Sequence, residues 1–154
     1  MAAILLLIGL GAYALFGRSA APSSADALRA LPEASLIYPG SAVITSGGRN
    51  AANGIDGRVS AEAWQLLGVE ADPAAIEAFY TTELAARGWT ADTHTSSGLL
   101  ATGELTVVAW SKQGVIFRLG IRDPDSWRAD PELFARFQSV YDARLVGDRR
   151  ADDD

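Results

Sequence analysis

An uncharged, mostly apolar run fills residues 2–17 (AAILLLIGLGAYALFG) and constrains this chain more than any other feature. A helix rises about 1.5 Å per residue and a bilayer's hydrocarbon core is about 30 Å thick. The sixteen residues therefore make a slightly short span. Arg18 can lay its stem along the apolar surface and lift its charge to the interface, and Ser19, Ala20 and Ala21 can extend the helix before Pro22. The run reads first as a single-pass membrane anchor, carried by Ile4, Leu5, Leu6, Leu7, Ile8, Leu10, Leu15 and Phe16. A cleavable secretory signal competes with it, since such signals have apolar stretches of about 7–15 residues ending at a small-x-small site. Ser23-Ser24-Ala25 and Ala25-Asp26-Ala27 would both serve. Against cleavage, no Lys or Arg precedes the run. A buried helix of a soluble fold is the third reading. Arg18 alone would keep its flank in the cytoplasm, whereas an apolar start followed by a Ser/Ala/Pro stretch favours an extracytoplasmic domain, which is the orientation expected here. The domain would be secreted if the segment is cleaved.

Residues 18–35 (RSAAPSSADALRALPEAS) are small and polar with two prolines, so 22–35 is predicted to be a tether with a short helical turn at 25–30. The domain is predicted over 36–146 and an acidic polar tail over 147–154. With no cysteine, the chain has no disulfide, thiolate nucleophile, cysteine metal site or lipobox acylation. A net charge of -6 repels nucleic acid and anionic lipid at long range, so no nucleic-acid partner is expected.

Within the domain, Tyr38-Pro39-Gly40 reads as an extended entry and turn before a short strand at 41–45. Residues 47–57 (GGRNAANGIDG) read as a long hairpin loop, followed by a strand at 59–69. Those glycines lead into a strand and not into a helix N-terminus, which argues against a phosphate cradle. Asp72-Pro73 starts a helix running to Arg87 with Ile76, Phe79, Tyr80 and Leu84 on one stripe, and Gly88 stops it. Asp130-Pro131 repeats the start, and Leu133, Phe134, Phe137, Val140, Tyr141 and Leu145 predict a second amphipathic helix.

Residues 105–112 and 115–122 (LTVVAWSK, VIFRLGIR) read as a hairpin turning at Gln113-Gly114. That turn puts Trp110 opposite Phe117 and Val108 opposite Leu119, on a core face shared with Val115 and Ile121. The reverse face carries Leu105, Val107, Ala109, Ile116, Arg118 and Arg122. It reads either as a solvated sheet surface or as a partner-binding face whose candidate contacts are Leu105, Val107, Ile116, Arg118 and Arg122. A one-residue slip would exchange the two faces. The expected architecture is α+β, an N-terminal hydrophobic helix and then a mainly antiparallel sheet of about four to five strands packed by two amphipathic helices.

Tyr38-Pro39-Gly40, the stretch Phe79-Tyr80-Thr81-Thr82-Glu83-Leu84-Ala85-Ala86-Arg87-Gly88-Trp89, and Ala109-Trp110-Ser111-Lys112 before a second strand together resemble small bacterial membrane-anchored or secreted domains of uncharacterised function. The resemblance covers about residues 36–122. It implies a layout and an envelope location, with no catalytic residue. The chain departs from those domains in lacking a lipobox cysteine and in its extra C-terminal helix.

No reactive constellation is assembled in the sequence. His94 is the sole histidine; a triad with Asp92 and Ser96 or Ser97 has no nucleophile-elbow motif to enforce it, and a surface histidine is the simpler reading. Asp123, Asp125 and Asp130 lack the glycine and terminal glutamate of a calcium loop, so capping and turn roles explain them. Glu62, Glu70, Glu77 and Glu104 leave carboxylate-pair hydrolysis formally open. Trp64, Trp89, Trp110 and Trp127 could line a sugar or lipid groove but are the usual furniture of a core. The expected function is a membrane-tethered, non-catalytic interaction or accessory module of the envelope, with the lipid bilayer and an envelope protein as partners and no cofactor. The alternatives are a small apolar-ligand or lipid-binding carrier or sensor and, behind it, a carboxylate-dependent hydrolase.

Overall fold

A computed structural model describes residues 21–54, 57–100, 103–122 and 131–147; the side chains of 93–105 and 131 lie outside that description, as does the apolar run at 2–17. Among the described residues no helix is long and apolar enough to cross a membrane.

Ser24 opens α1 (Ala25–Arg29) by accepting the Ala27 amide at 3.1 Å, and Pro32 begins a 3₁₀ turn (Pro32–Ser35). Strand β1 (Ala42–Arg49) comes next, then a two-stranded ribbon of β2 (Ala52–Gly54) and β3 (Gly57–Val59), then β4 (Glu62–Val69). The loop predicted at 47–57 is thus partly strand, with β1 running on to pair Arg49 with Glu62. Asp72 caps α2 (Pro73–Ala86) by accepting the Ala74 amide at 2.8 Å, and Pro73 occupies the first turn, where a missing amide hydrogen costs nothing. Gly88, at φ 79°, ends the helix. The chain then forms β5 (Thr90–Leu100), β6 (Gly103–Lys112), β7 (Val115–Arg122), a short α3 (Pro131–Arg136) and β8 (Ser139–Gly147).

Among the described residues the main sheet has six strands in the order β1-β4-β8-β7-β6-β5. The β6–β7 hairpin has the predicted register, Trp110 opposite Phe117 and Val108 opposite Leu119. Gln113 and Gly114 turn it with φ of 49° and 75°, the two left-handed positions that match the strands' twist. Strand β8 lies between β4 and β7, antiparallel to both, and joins the β1–β4 pair to the β5–β6–β7 meander.

That placement corrects the second predicted helix. Helix α3 is six residues long, and Val140, Tyr141 and Leu145 belong to β8. A strand paired on both sides and shielded on both faces has no reason to alternate. Val140, Tyr141, Leu145 and Val146 are all buried, and their spacing mimics a helical stripe. The helical layer is therefore α2 with two short helices, and the sheet is larger than the four to five strands expected.

The stretch predicted as a tether is also built into the domain. Leu28 is fully buried and Ala25 nearly so. The Ala25 amide donates to Asn50 Oδ1 at 2.9 Å, and the Ala51 amide donates to the Ser23 carbonyl at 2.9 Å.

Helix α2 covers one face of the sheet with Ile76, Tyr80 and Leu84, while Phe79 packs at the margin. The Tyr80 ring lies 5.4 Å from Phe117 and 6.0 Å from Tyr141, and Trp89 and Trp110 approach Phe117 edge-on at 6.2 and 6.1 Å. The Tyr80 hydroxyl donates to the Leu36 carbonyl at 3.1 Å, and burial pushes its pKa well above the usual range. On the other face, the Phe137 ring lies so close over Gly68 that a Cβ there would collide with it.

Candidate interaction face

Alternation along the strands sends every second residue to the face away from α2. The pairing aligns Ile116, Val146, Glu62 and Arg49 in one row across β7, β8, β4 and β1, and Arg118, Arg144, Trp64 and Gly47 in the next. Three of these and two neighbours form a chain of alternating charge. Arg49 meets Glu62 at 3.0 Å, Glu62 meets Arg144 at 3.3 Å, Arg144 meets Asp142 at 3.6 Å, and Asp142 meets Arg122 at 3.7 Å. Glu62 and Asp142 are buried, so each is served by two arginines where water is scarce.

Arg118 stands outside this chain. It is exposed, has no ion pair among the described residues, and sits directly opposite Arg144 in the β7–β8 register. Like charges facing each other across a strand pair repel, so a group of opposite charge placed between them is favoured. Counting Asp92, which pairs with Ala109 on this face, four arginines meet three carboxylates on a chain whose net charge is -6.

The sequence-predicted contacts fare unequally. Arg118 is exposed, and Arg122 is half-buried and tied to Asp142. Val107 is half-buried opposite Gly120. Ile116 is only 6% exposed and forms a small apolar cluster with Ala109 and Val146, so it supports the face from beneath and offers no contact surface. Leu105 pairs with Arg122 in the backbone register, and its side chain lies outside the described residues. Sequence reasoning missed Arg49, Asp142 and Arg144, and it named Glu62 only as a possible hydrolytic carboxylate. The available signal was the two-residue spacing of Asp142 and Arg144, which share a face only in a strand.

Asp142 and Arg122 are both perturbed. Burial pushes the Asp142 carboxyl above its ordinary range although Arg144 and Arg122 pull it down, and burial lowers Arg122 although Asp142 pulls it up. An acid whose folded pKa is raised contributes stability that is present below the ordinary carboxylate value of about 3.9 and lost as pH rises through the folded value. Urea unfolding should therefore show Asp142→Asn gaining stability relative to the wild type as pH is raised from about 4 to 7. A difference that stays flat across that window would contradict the raised pKa.

Among the described residues no three His, Cys, Asp or Glu side chains gather as a metal site. Asp123, Asp125, Asp130 and Trp127 lie outside the described residues, as does the side chain of His94, whose backbone lies within β5. Trp89 and Trp110 are core residues, and the Trp64 ring lies over Gly47. No family model matches the chain, and no curated protein or solved structure matches it either.

Proposed function

We propose that the chain is a membrane-tethered, non-catalytic interaction module of the cell envelope, held to the bilayer by residues 2–17 and docking an acidic partner on the sheet face away from α2. The observation that carries this reading is Arg118, an exposed arginine without an ion-pair partner among the described residues, set against Arg144 on an otherwise neutralised patch. An acidic side chain from a partner would relieve that repulsion and gain a charge-assisted hydrogen bond. The resemblance to small bacterial membrane-anchored or secreted domains favours the same location.

A photocrosslinking residue at Ser111, which is exposed and in line with Ile116, should trap the partner in intact cells. Arg118→Glu should abolish the adduct with a change in stability within about 0.5 kcal/mol, as for ordinary surface substitutions. The adduct should also weaken as salt is added. An adduct that survives Arg118→Glu at full strength would remove this face from the reading. Membrane fractionation with N-terminal sequencing tests the anchor separately, and protease accessibility in intact cells tests the extracytoplasmic orientation.

The carrier alternative finds little room between α2 and the sheet, where Tyr80, Trp110, Phe117 and Tyr141 are all buried. A cavity of about 130 Å³ bordered by Arg29, Glu33, Trp64 and Leu145 is too small for most ligands, whose pockets run to about 300–1,000 Å³. Of the carboxylates named for the hydrolase alternative, Glu62 is committed to Arg49 and Arg144, and the Glu104 side chain lies outside the described residues.

A further inference from the structure

Pro22 lies at the end of the sheet where β8 finishes, its carbonyl so close to Gly147 that no side chain would fit there. A groove of about 310 Å³ opens at this corner, walled by Pro22, Leu31, Pro32, Trp89 and Val115, with Lys112 beside them. Its polar furniture is ordered. Trp89 Nε1 donates to the buried Glu33 carboxylate at 3.0 Å, which fixes the indole as a wall. Lys112 Nζ donates to the Arg87 carbonyl at 2.8 Å and stands 3.8 Å from Glu33, with its side chain 33% exposed. An ammonium has three donors, so Lys112 keeps N–H groups for a ligand.

The apolar run ends at Gly17, and the residues from 18 to 22 can span no more than about 18 Å even when fully extended. With residues 2–17 in a bilayer, the groove is therefore confined to the neighbourhood of the headgroups. Tryptophan and lysine are the side chains suited to that zone, one with an apolar body and a polar edge, the other with an apolar stem and a charged head. We infer that the groove takes one acyl chain of a phospholipid from the anchoring bilayer against Leu31, Trp89 and Val115, with the phosphate on Lys112. The inference rests on the membrane-anchor part of the proposed function and is independent of the Arg118 face. Its consequence is a domain held against the membrane by a lipid as well as by its leader, which fixes the direction in which the sheet face points.

The test uses the full-length chain reconstituted into vesicles doped with a phospholipid carrying a diazirine on its acyl chain. After irradiation, mass spectrometry should find adducts on the peptides containing Leu31 and Val115 in addition to those on residues 1–20. Leu31→Trp, which fills the groove, should remove most of the domain adduct. Lys112→Gln, which removes the charge but keeps a donor for the Arg87 carbonyl and puts no second carboxylate beside Glu33, should lower it severalfold in a domain that still unfolds cooperatively, and so keeps the test valid if Leu31→Trp unfolds the domain. Adducts confined to residues 1–20, or domain adducts unchanged in Lys112→Gln, overturn the groove and leave the anchor standing. A chain that does not float with the vesicles overturns the anchor and the groove together.

Discussion

Truncating Leu28 to alanine is expected to destabilise the domain by about 2–5 kcal/mol, the range for a large-to-small change at a fully buried site. Leu28 sits on α1, in a stretch whose composition reads as a linker, and it has no exposed surface. Its neighbours cannot close the gap freely, because α1 is pinned by the Ala25 bond to Asn50 and by the Ser23 bond to Ala51. Denaturation in urea, followed through the buried Trp89 and Trp110, measures the loss. A change within about 0.5 kcal/mol would mean that α1 is a solvated linker after all, since exposed positions away from special features rarely cost more. The neighbouring exposed Ala27 is the control, where substitution to serine should do little.

Tyr141→Ala should cost about 3–5 kcal/mol as a buried aromatic truncation. Its ring is fully buried in the middle of the sheet and meets Tyr80 edge-on. Its hydroxyl accepts the Tyr38 amide at 3.3 Å and shares a hydrogen bond of 2.7 Å with Ser41 Oγ, so it also fixes the entry segment before β1. Tyr141→Phe separates these contributions. It keeps the ring and strands the two polar partners, for a loss of about 1–3 kcal/mol. Equal losses in both variants would place the whole effect in the hydroxyl network, and a negligible loss in both would contradict the central position of β8.

What could be read from the chain was what is local. The Gln113-Gly114 turn and the alternation around it gave the β6–β7 register residue for residue, and Asp72-Pro73 gave α2 because a cap and a first-turn proline act within four residues. Strand β8 was illegible because its partners are remote: Tyr141 pairs with Leu67 on one side and Ile121 on the other. Neither pairing leaves a mark on neighbouring residues. Burial on both faces erased the alternation that would have marked a strand, and Leu133, Phe137, Val140 and Tyr141 fell on a helical stripe instead. The same gap hid half of the candidate site. Arg118 and Arg122 were visible as arginines on the reverse face of a recognised hairpin, but Asp142 and Arg144 arrive on β8 and Glu62 on β4, so the ion chain exists only once the sheet is assembled.

The late arrival of β8 also sets an order of events during synthesis. As the polypeptide emerges, the β1–β4 pair and the β5–β6–β7 meander are complete before their common neighbour exists, and β4 and β7 each present a bare strand edge. Bare edges invite pairing with other chains, and closing this one requires a contact between residues about 75 positions apart, the slow kind of step in folding. The nascent domain is thus most prone to aggregate in the interval before residues 139–147 are available. Dilution of that intermediate, or a factor that shields strand edges, should raise the yield of native protein more than any change that merely strengthens the finished core.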